Sequence, residues 1–303
     1  IRVDWPVYAT ADIVNELERN DTILRVCISM VTNKRAPRDT LAVIDKLEST
    51  GKDISVLVAP TMIDRSWLKK VHDTSVDKVG IAIDAATPEL FREYRGKGVQ
   101  GPHRWDQYWR IFKDSIAIFG AENTGIHLIT GLKETERDLI KIIQKVRDMG
   151  SDTHLFSFFP ESGSDLENIP QPGIGTYRRV QLARELIFQR ESSYEKMDFN
   201  EDGQIVGFGT PENVLNRIID DGTAFMTQGC KNTDGFITCN RPYSNCTPFQ
   251  AAKGELRNFP FKPSKKDIST IKKQLLDYDV DSWVRTLAEA DDFLIDEIED
   301  LAE

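Results

Sequence analysis

Cysteine is scarce in this chain: 303 residues contain only Cys27, Cys230, Cys239 and Cys246. Four thiols are too few for the disulfide framework of a secreted domain, so a reducing cytoplasm is the expected compartment. Long apolar runs are missing too. None approaches the roughly 20 residues that span a bilayer, and no secretory signal is recognisable. Clustered positive charge is also absent. Lys and Arg number 39 against 49 Asp and Glu, for a net charge of −10. Without a basic run, nucleic acid is not the expected partner. No G-x-G-x-x-G follows the first predicted strand, which weakens a dinucleotide-binding reading. The C-x2-C pairs of the common zinc sites do not occur.

What is present is an alternation of strands and helices. The clearest stretch runs from Thr124 to Ser164. Residues 124–130 are apolar and β-branched and end at Gly131, which predicts a strand. Leu139, Ile142, Ile143, Val146 and Met149 then mark one face of a helix from about Thr135 to Met149, closed by Gly150. A second strand is predicted over 153–159. Strand, helix and strand of these lengths make a right-handed parallel unit.

Upstream the pattern repeats. Strands are predicted at 23–30, 54–59 and 76–83, and helices at 10–19, 38–49, 64–74, 88–94 and 104–119. Five strands separated by helices describe a parallel sheet with helices outside, as either a doubly wound sheet or a barrel. After Pro172 the spacing changes. A helix at 176–191 leads to a last strand near 195–199, a turn at Asn200–Gly203, the strand-like QIVGF and a helix at 211–221. Residues 229–263 read as loop, and helices at 265–277 and 281–302 close the chain.

In parallel α/β architectures the reactive groups collect where strands end. Those positions here are Thr32–Arg35, Pro60–Thr61, Asp84, Gly131–Glu134 and Pro160–Glu161. Asp84, directly after VGIAI, can bond a ribose diol or cap the helix that starts near Pro88. Glu134 is either a ligand contact or an acid near a helix start. Arg104 has the planar fork that suits a carboxylate, or forms a surface salt bridge. His127 and His154, on neighbouring strands, read as buried structural histidines or a metal pair without a third ligand. Cys27, inside a strand, reads as a small core residue. Cys230, Cys239 and Cys246, spaced C-x8-C-x6-C in one irregular loop, suit three irons of a [4Fe–4S] cluster, or are unliganded thiols.

Together, VGIAIDAATPELFREYRG, GPHRWDQYW, GIHLITGLKET and HLFSFFPESGS give the run from Ile23 to Ser164 a family resemblance. It resembles a radical S-adenosylmethionine enzyme of the biotin synthase and lipoyl synthase type. FMTQGC, CNRPYSN and ELRNFPFKPS look more specifically like a subunit of the two-component lipoyl synthase. The resemblance implies a partial parallel (β/α)6 TIM-type barrel over residues 1–222. An auxiliary-cluster loop and helical extension would follow over 223–303.

It further implies S-adenosylmethionine across the C-terminal strand ends. Asp84 matches the ribose position, and Ile129, Gly131, Leu132 and Glu134 match the G-x-I-x-G-x-x-E pattern near the adenine, with His127 in place of its first glycine. Arg104 matches the arginine that holds the methionyl carboxylate. Met30, Thr32 and Asn33 stand where the family contacts the methionyl amine, although no GGE occurs, and Phe158 lies in the last strand motif. The family's C-x3-C-x2-C motif for its radical [4Fe–4S] cluster is absent. It is expected just upstream of Ile1, and these residues alone would not cleave S-adenosylmethionine. The implied reaction is sulfur insertion into an octanoyl chain on a carrier protein, a lipoyl domain or glycine-cleavage H-type protein, with a second radical subunit as partner. Cys230, Cys239 and Cys246 are the implied ligands of an auxiliary [4Fe–4S] cluster. The alternatives are another radical enzyme on this scaffold, biotin synthase-like or a cofactor-maturing methylase, and a binding-only barrel.

Overall fold

Burial alternates along the central strands as their pleat requires. The computed structural model describes residues 6–231, 238 and 256–279. Strands β1 (Arg25–Ser29), β2 (Asp53–Val58), β3 (Val76–Asp84), β4 (Thr124–Thr130) and β5 (Asp152–Ser157) form one sheet in that order. The first three pairs are parallel, with Cys27 opposite Ser55, Leu57 opposite Gly80, and Ile81 opposite Ile126. One face carries Ile54, Val56, Val58, Val79, Ile81, Ile83, Ile126 and Leu128, all buried. The helices α2 (Ala36–Leu47), α3 (Arg65–His72), α4 (Pro88–Tyr94) and α5 (Trp105–Phe119) connect the strands, and α3 and α5 pack on β3. Each fully buried Ile or Leu on that face contributes roughly 1.5–3 kcal/mol.

The predicted order of elements stands, with ends displaced by a few residues. Helix α1 is Thr10–Arg19 and α6 is Glu136–Asp148. Leu139, Ile142, Ile143 and Val146 of α6 are buried, as the stripe requires. Thr135 and Asp138 cap its start reciprocally. The Asp138 amide donates to Thr135 Oγ1 at 3.1 Å, and the Thr135 amide donates to the Asp138 carboxylate at 3.1 Å.

The described residues fall into two compact units. One lies within Ile1–Glu134, Lys141–Phe156 and Thr227–Arg241, the other within Thr135–Ile140, Ser157–Met226 and Pro242–Glu303. The second holds α7 (Ile174–Phe188), α8 (Glu212–Asp221), α9 (Lys265–Leu275) and the short antiparallel pair β6 (Asp198–Phe199) and β7 (Ile205–Gly207).

That pair corrects one expectation. The stretch near 195–199 does not join the parallel sheet; it turns back on itself. Asn200 closes the turn, its amide donating to the Gln204 carbonyl at 3.0 Å, and Gly203 supplies φ +76°. Local turn chemistry thus outweighs the winding of the preceding units. The predicted helix at 281–302 lies outside the described residues, as does most of the loop at 229–263.

Candidate functional site

The C-terminal ends of β1, β3 and β4 lie along one edge of the sheet, because these strands are parallel. Met30, Thr32, Asn33, Asp84, Ile129, Gly131, Leu132 and Glu134 therefore share that edge. At β1 the chain leaves through Met30, whose amide donates to Leu57 at 2.9 Å. Asn33 Oδ1 accepts from the Arg35 amide at 2.8 Å and fixes the turn into α2. Met30 and Asn33 line a surface depression of about 420 Å³ together with Arg35 and Asp39.

Asp84 ends β3 at a register shift and has φ +64°. Aspartate tolerates the left-handed region better than most residues, so the chain turns there without glycine. The side chain does not cap α4. Thr87 does, accepting from the Leu90 amide at 3.3 Å. The Asp84 carboxylate instead pairs with Arg95, and its side chain is 17% exposed.

Gly131 has φ +108° and Lys133 φ +71°, so the chain coils tightly after β4. Glu134 holds that coil. Its carboxylate accepts from the Gly131 amide at 2.6 Å and from the Leu132 amide at 2.8 Å. The carboxylate therefore orders its own loop, a third role beside the two weighed from the sequence. Leu132 is buried and Ile129 half-buried. Arg104 is exposed at the N-cap of α5 and makes no ion pair among the described residues. Phe158 is buried in the second unit.

Thr61, a strand-end position in the sequence, and three residues that gave little signal there converge at the same edge. His103 Nδ1 lies 2.7 Å from Thr61 Oγ1 and 3.0 Å from the Tyr108 hydroxyl. Arg95 Nη2 donates to that hydroxyl at 3.3 Å. Burial, and next the Arg95 charge, hold the His103 imidazole below the usual histidine range. The available hint was the run Gly96–Gly101. Its spacing is that of a dinucleotide fingerprint, but it joins two helices. A side chain at Gly98 or Gly101 would collide with the carbonyls of Glu93 or Arg95. The glycines thus press the connection onto the end of α4 and bring His103 beside Arg95.

The open face of the sheet carries a cavity of about 90 Å³ near the starts of the strands. Cys27, His127, His154 and Cys230 line it with Lys78 and Lys231. Two expectations change here. Cys27 is exposed rather than in the core, because odd positions of β1 face away from the packed helices. His127 and His154 are half-buried, edge to face at 5.4 Å, not sealed inside. Gly80 and Gly125 clear room for them, since a Cβ there would lie 3.5 Å from His127 Nε2 and 3.2 Å from His154 Nε2.

Cys230 lies on this face, far along the strands from Asp84. Cys239 and Cys246 are outside the described residues, among which no group of three His, Cys, Asp or Glu side chains is set to hold a metal ion. Among the described residues, also, no helix is long and apolar enough to cross a membrane. No known protein-family model matches the chain, and no curated protein sequence matches it.

Proposed function

We propose that the strand-end edge binds S-adenosylmethionine and that the chain is a radical S-adenosylmethionine sulfur-inserting enzyme, a subunit of a two-component lipoyl synthase type. The sheet would then be the greater part of a partial (β/α)6 barrel. The observation that carries the reading is the common edge of Asp84, Gly131–Glu134 and Met30–Asn33 on adjoining parallel strands.

The nucleoside fits these residues in part. Asp84 presents a half-buried carboxylate to a diol, and Gly131 lets a flat ring approach the backbone. Ile129 and Leu132 offer apolar surface to the adenine. Arg104 is free to meet a carboxylate. The Gly131 and Leu132 amides are spent on Glu134, so base recognition would fall to the neighbouring carbonyls and side chains.

A reduced [4Fe–4S] cluster supplies the electron for radical chemistry in such enzymes. The C-x3-C-x2-C motif that holds it does not occur in this sequence, and no step through it follows from these residues. The same holds for the auxiliary cluster, for which Cys230 is the one proposed ligand within the described residues. The chain's own contribution is to bind and orient the sulfonium nucleoside. An octanoylated carrier protein and a second radical subunit are the proposed partners.

Equilibrium binding of S-adenosylmethionine to the full-length protein tests the site. Asp84→Asn should weaken it by about tenfold or more, the worth of a charge-assisted hydrogen bond. Undiminished affinity would remove Asp84 from the site. An anaerobic reaction with an octanoylated peptide then tests the chemistry. Mass gain by sulfur supports the lipoyl reading. Release of 5′-deoxyadenosine without sulfur points to a different radical enzyme, and binding without cleavage points to a binding-only protein.

A further inference from the structure

Proton inventory gives one link of the cluster beside Asp84 a direction. A guanidinium only donates, so the Tyr108 oxygen accepts from Arg95, and the same hydroxyl lies 3.0 Å from His103 Nδ1. Thr61, from the turn after β2, reaches the same nitrogen. Phe91 packs edge-on against Tyr108 at a centroid distance of 4.9 Å and fixes the ring. The Arg95 guanidinium also lies 5.5 Å from the centre of the Tyr108 ring.

These contacts hold Arg95 from one side, and Asp84 takes its other nitrogen. The Asp84 carboxylate is thus anchored at the strand end by a cation that is itself held in place, and its two oxygens together offer more acceptor positions than one guanidinium uses.

We propose that Arg95, aligned by Tyr108 and His103, is a positioning residue that aims the Asp84 carboxylate at a ribose hydroxyl. The inference rests on reading this edge as a nucleoside site and adds the residues that set its selectivity for the sugar. An unanchored Asp84 would still bind the nucleoside but would distinguish poorly between ribose and deoxyribose. A fixed acceptor rewards a correctly placed hydroxyl and gains little from water in its place.

The test measures affinity of the full-length protein for S-adenosylhomocysteine and for its 2′-deoxy and 3′-deoxy forms. In the unaltered protein one of the two deletions should cost about tenfold, the usual worth of a hydrogen bond to a charged group. In Arg95→Met that penalty should shrink below about twofold, and Arg95→Lys should restore part of it. Tyr108→Phe, which keeps the packed ring, should give an intermediate penalty. A purely structural role would lower thermal stability and leave the ratio of the two affinities unchanged. An unaltered ratio in folded Arg95→Met and Tyr108→Phe overturns the inference alone. If the unaltered protein binds the nucleoside with no sugar preference, the inference also falls while the site stands. Absence of any binding to the unaltered protein overturns the nucleoside reading itself.

Discussion

His103 shows how one side chain's surroundings become a measurable property. Its ring is partly buried, and the Arg95 cation lies nearby. Both disfavour the imidazolium, and burial does so most. The folded-state value therefore lies below the unfolded one. Stability from this group is fully present above the unfolded value, about 6.5. It is lost as pH falls from there through the depressed folded value. Urea unfolding between pH 8 and pH 5 should show that loss, and His103→Gln should flatten the profile in this window. A profile of unchanged slope in the variant would mean that other groups carry the acid sensitivity. The same cluster explains why Asp84 was only half readable. Its place after an apolar strand announced a strand-end carboxylate, but its partner Arg95 lies beyond an intervening helix, and no local spacing connects the two.

Elements behave as their ends dictate. Helix α7 stops at Phe188. The Arg190 amide returns to the Ile187 carbonyl at 3.2 Å and the Glu191 amide to Leu186 at 2.9 Å. This closure places Arg190 in the left-handed region at φ +61°, where glycine is usual. Arg190 is exposed and forms no ion pair among the described residues. Arg190→Gly should therefore stabilise the protein by about 1 kcal/mol, the cost of a side chain in that region less the extra chain entropy of glycine. A lower urea midpoint in the variant would show that the arginine compensates by another contact.

The start of α6 shows the opposite case. Glu136 is an acid of the kind that suits a positive first turn, yet it is buried. It accepts from Arg179 Nε and Nη2, at 3.0 and 2.6 Å, and from the Ile205 amide at 2.7 Å. Burial pushes its carboxyl up, and Arg179 opposes that shift. A macrodipole argument explains why an acid is tolerated there, but not why it is enclosed.

At the scale of the molecule, Arg25 joins pieces that lie far apart in sequence. It enters from β1, its side chain almost wholly buried, and donates to Asp77 at 2.7 Å and Asp53 at 3.0 Å. It also reaches Thr238 Oγ1 at 3.1 Å, which ties the start of the sheet to the chain more than two hundred residues on. Arg25→Leu should destabilise by about 3 kcal/mol, the low end for a broken buried pair. The low end applies because both carboxylates keep about two-fifths of their surface in water, 39% and 42%. A urea-midpoint change worth under roughly 1 kcal/mol would place the pair among ordinary surface bridges.

Period and punctuation alone settled much of this protein. Apolar runs and 3.6-residue stripes act over a few residues, so the sequence determined the five strands, their connecting helices and the edge where Asp84 and Gly131 stand. Long-range pairing is a property of the folded chain. Only the tertiary structure decided that Arg95 would anchor Asp84, that Glu134 would tie its own loop, and that Cys27 would face an open cavity. The physical reason is reach: a hydrogen bond or ion pair acts over about 3 Å of space, however much chain separates its partners.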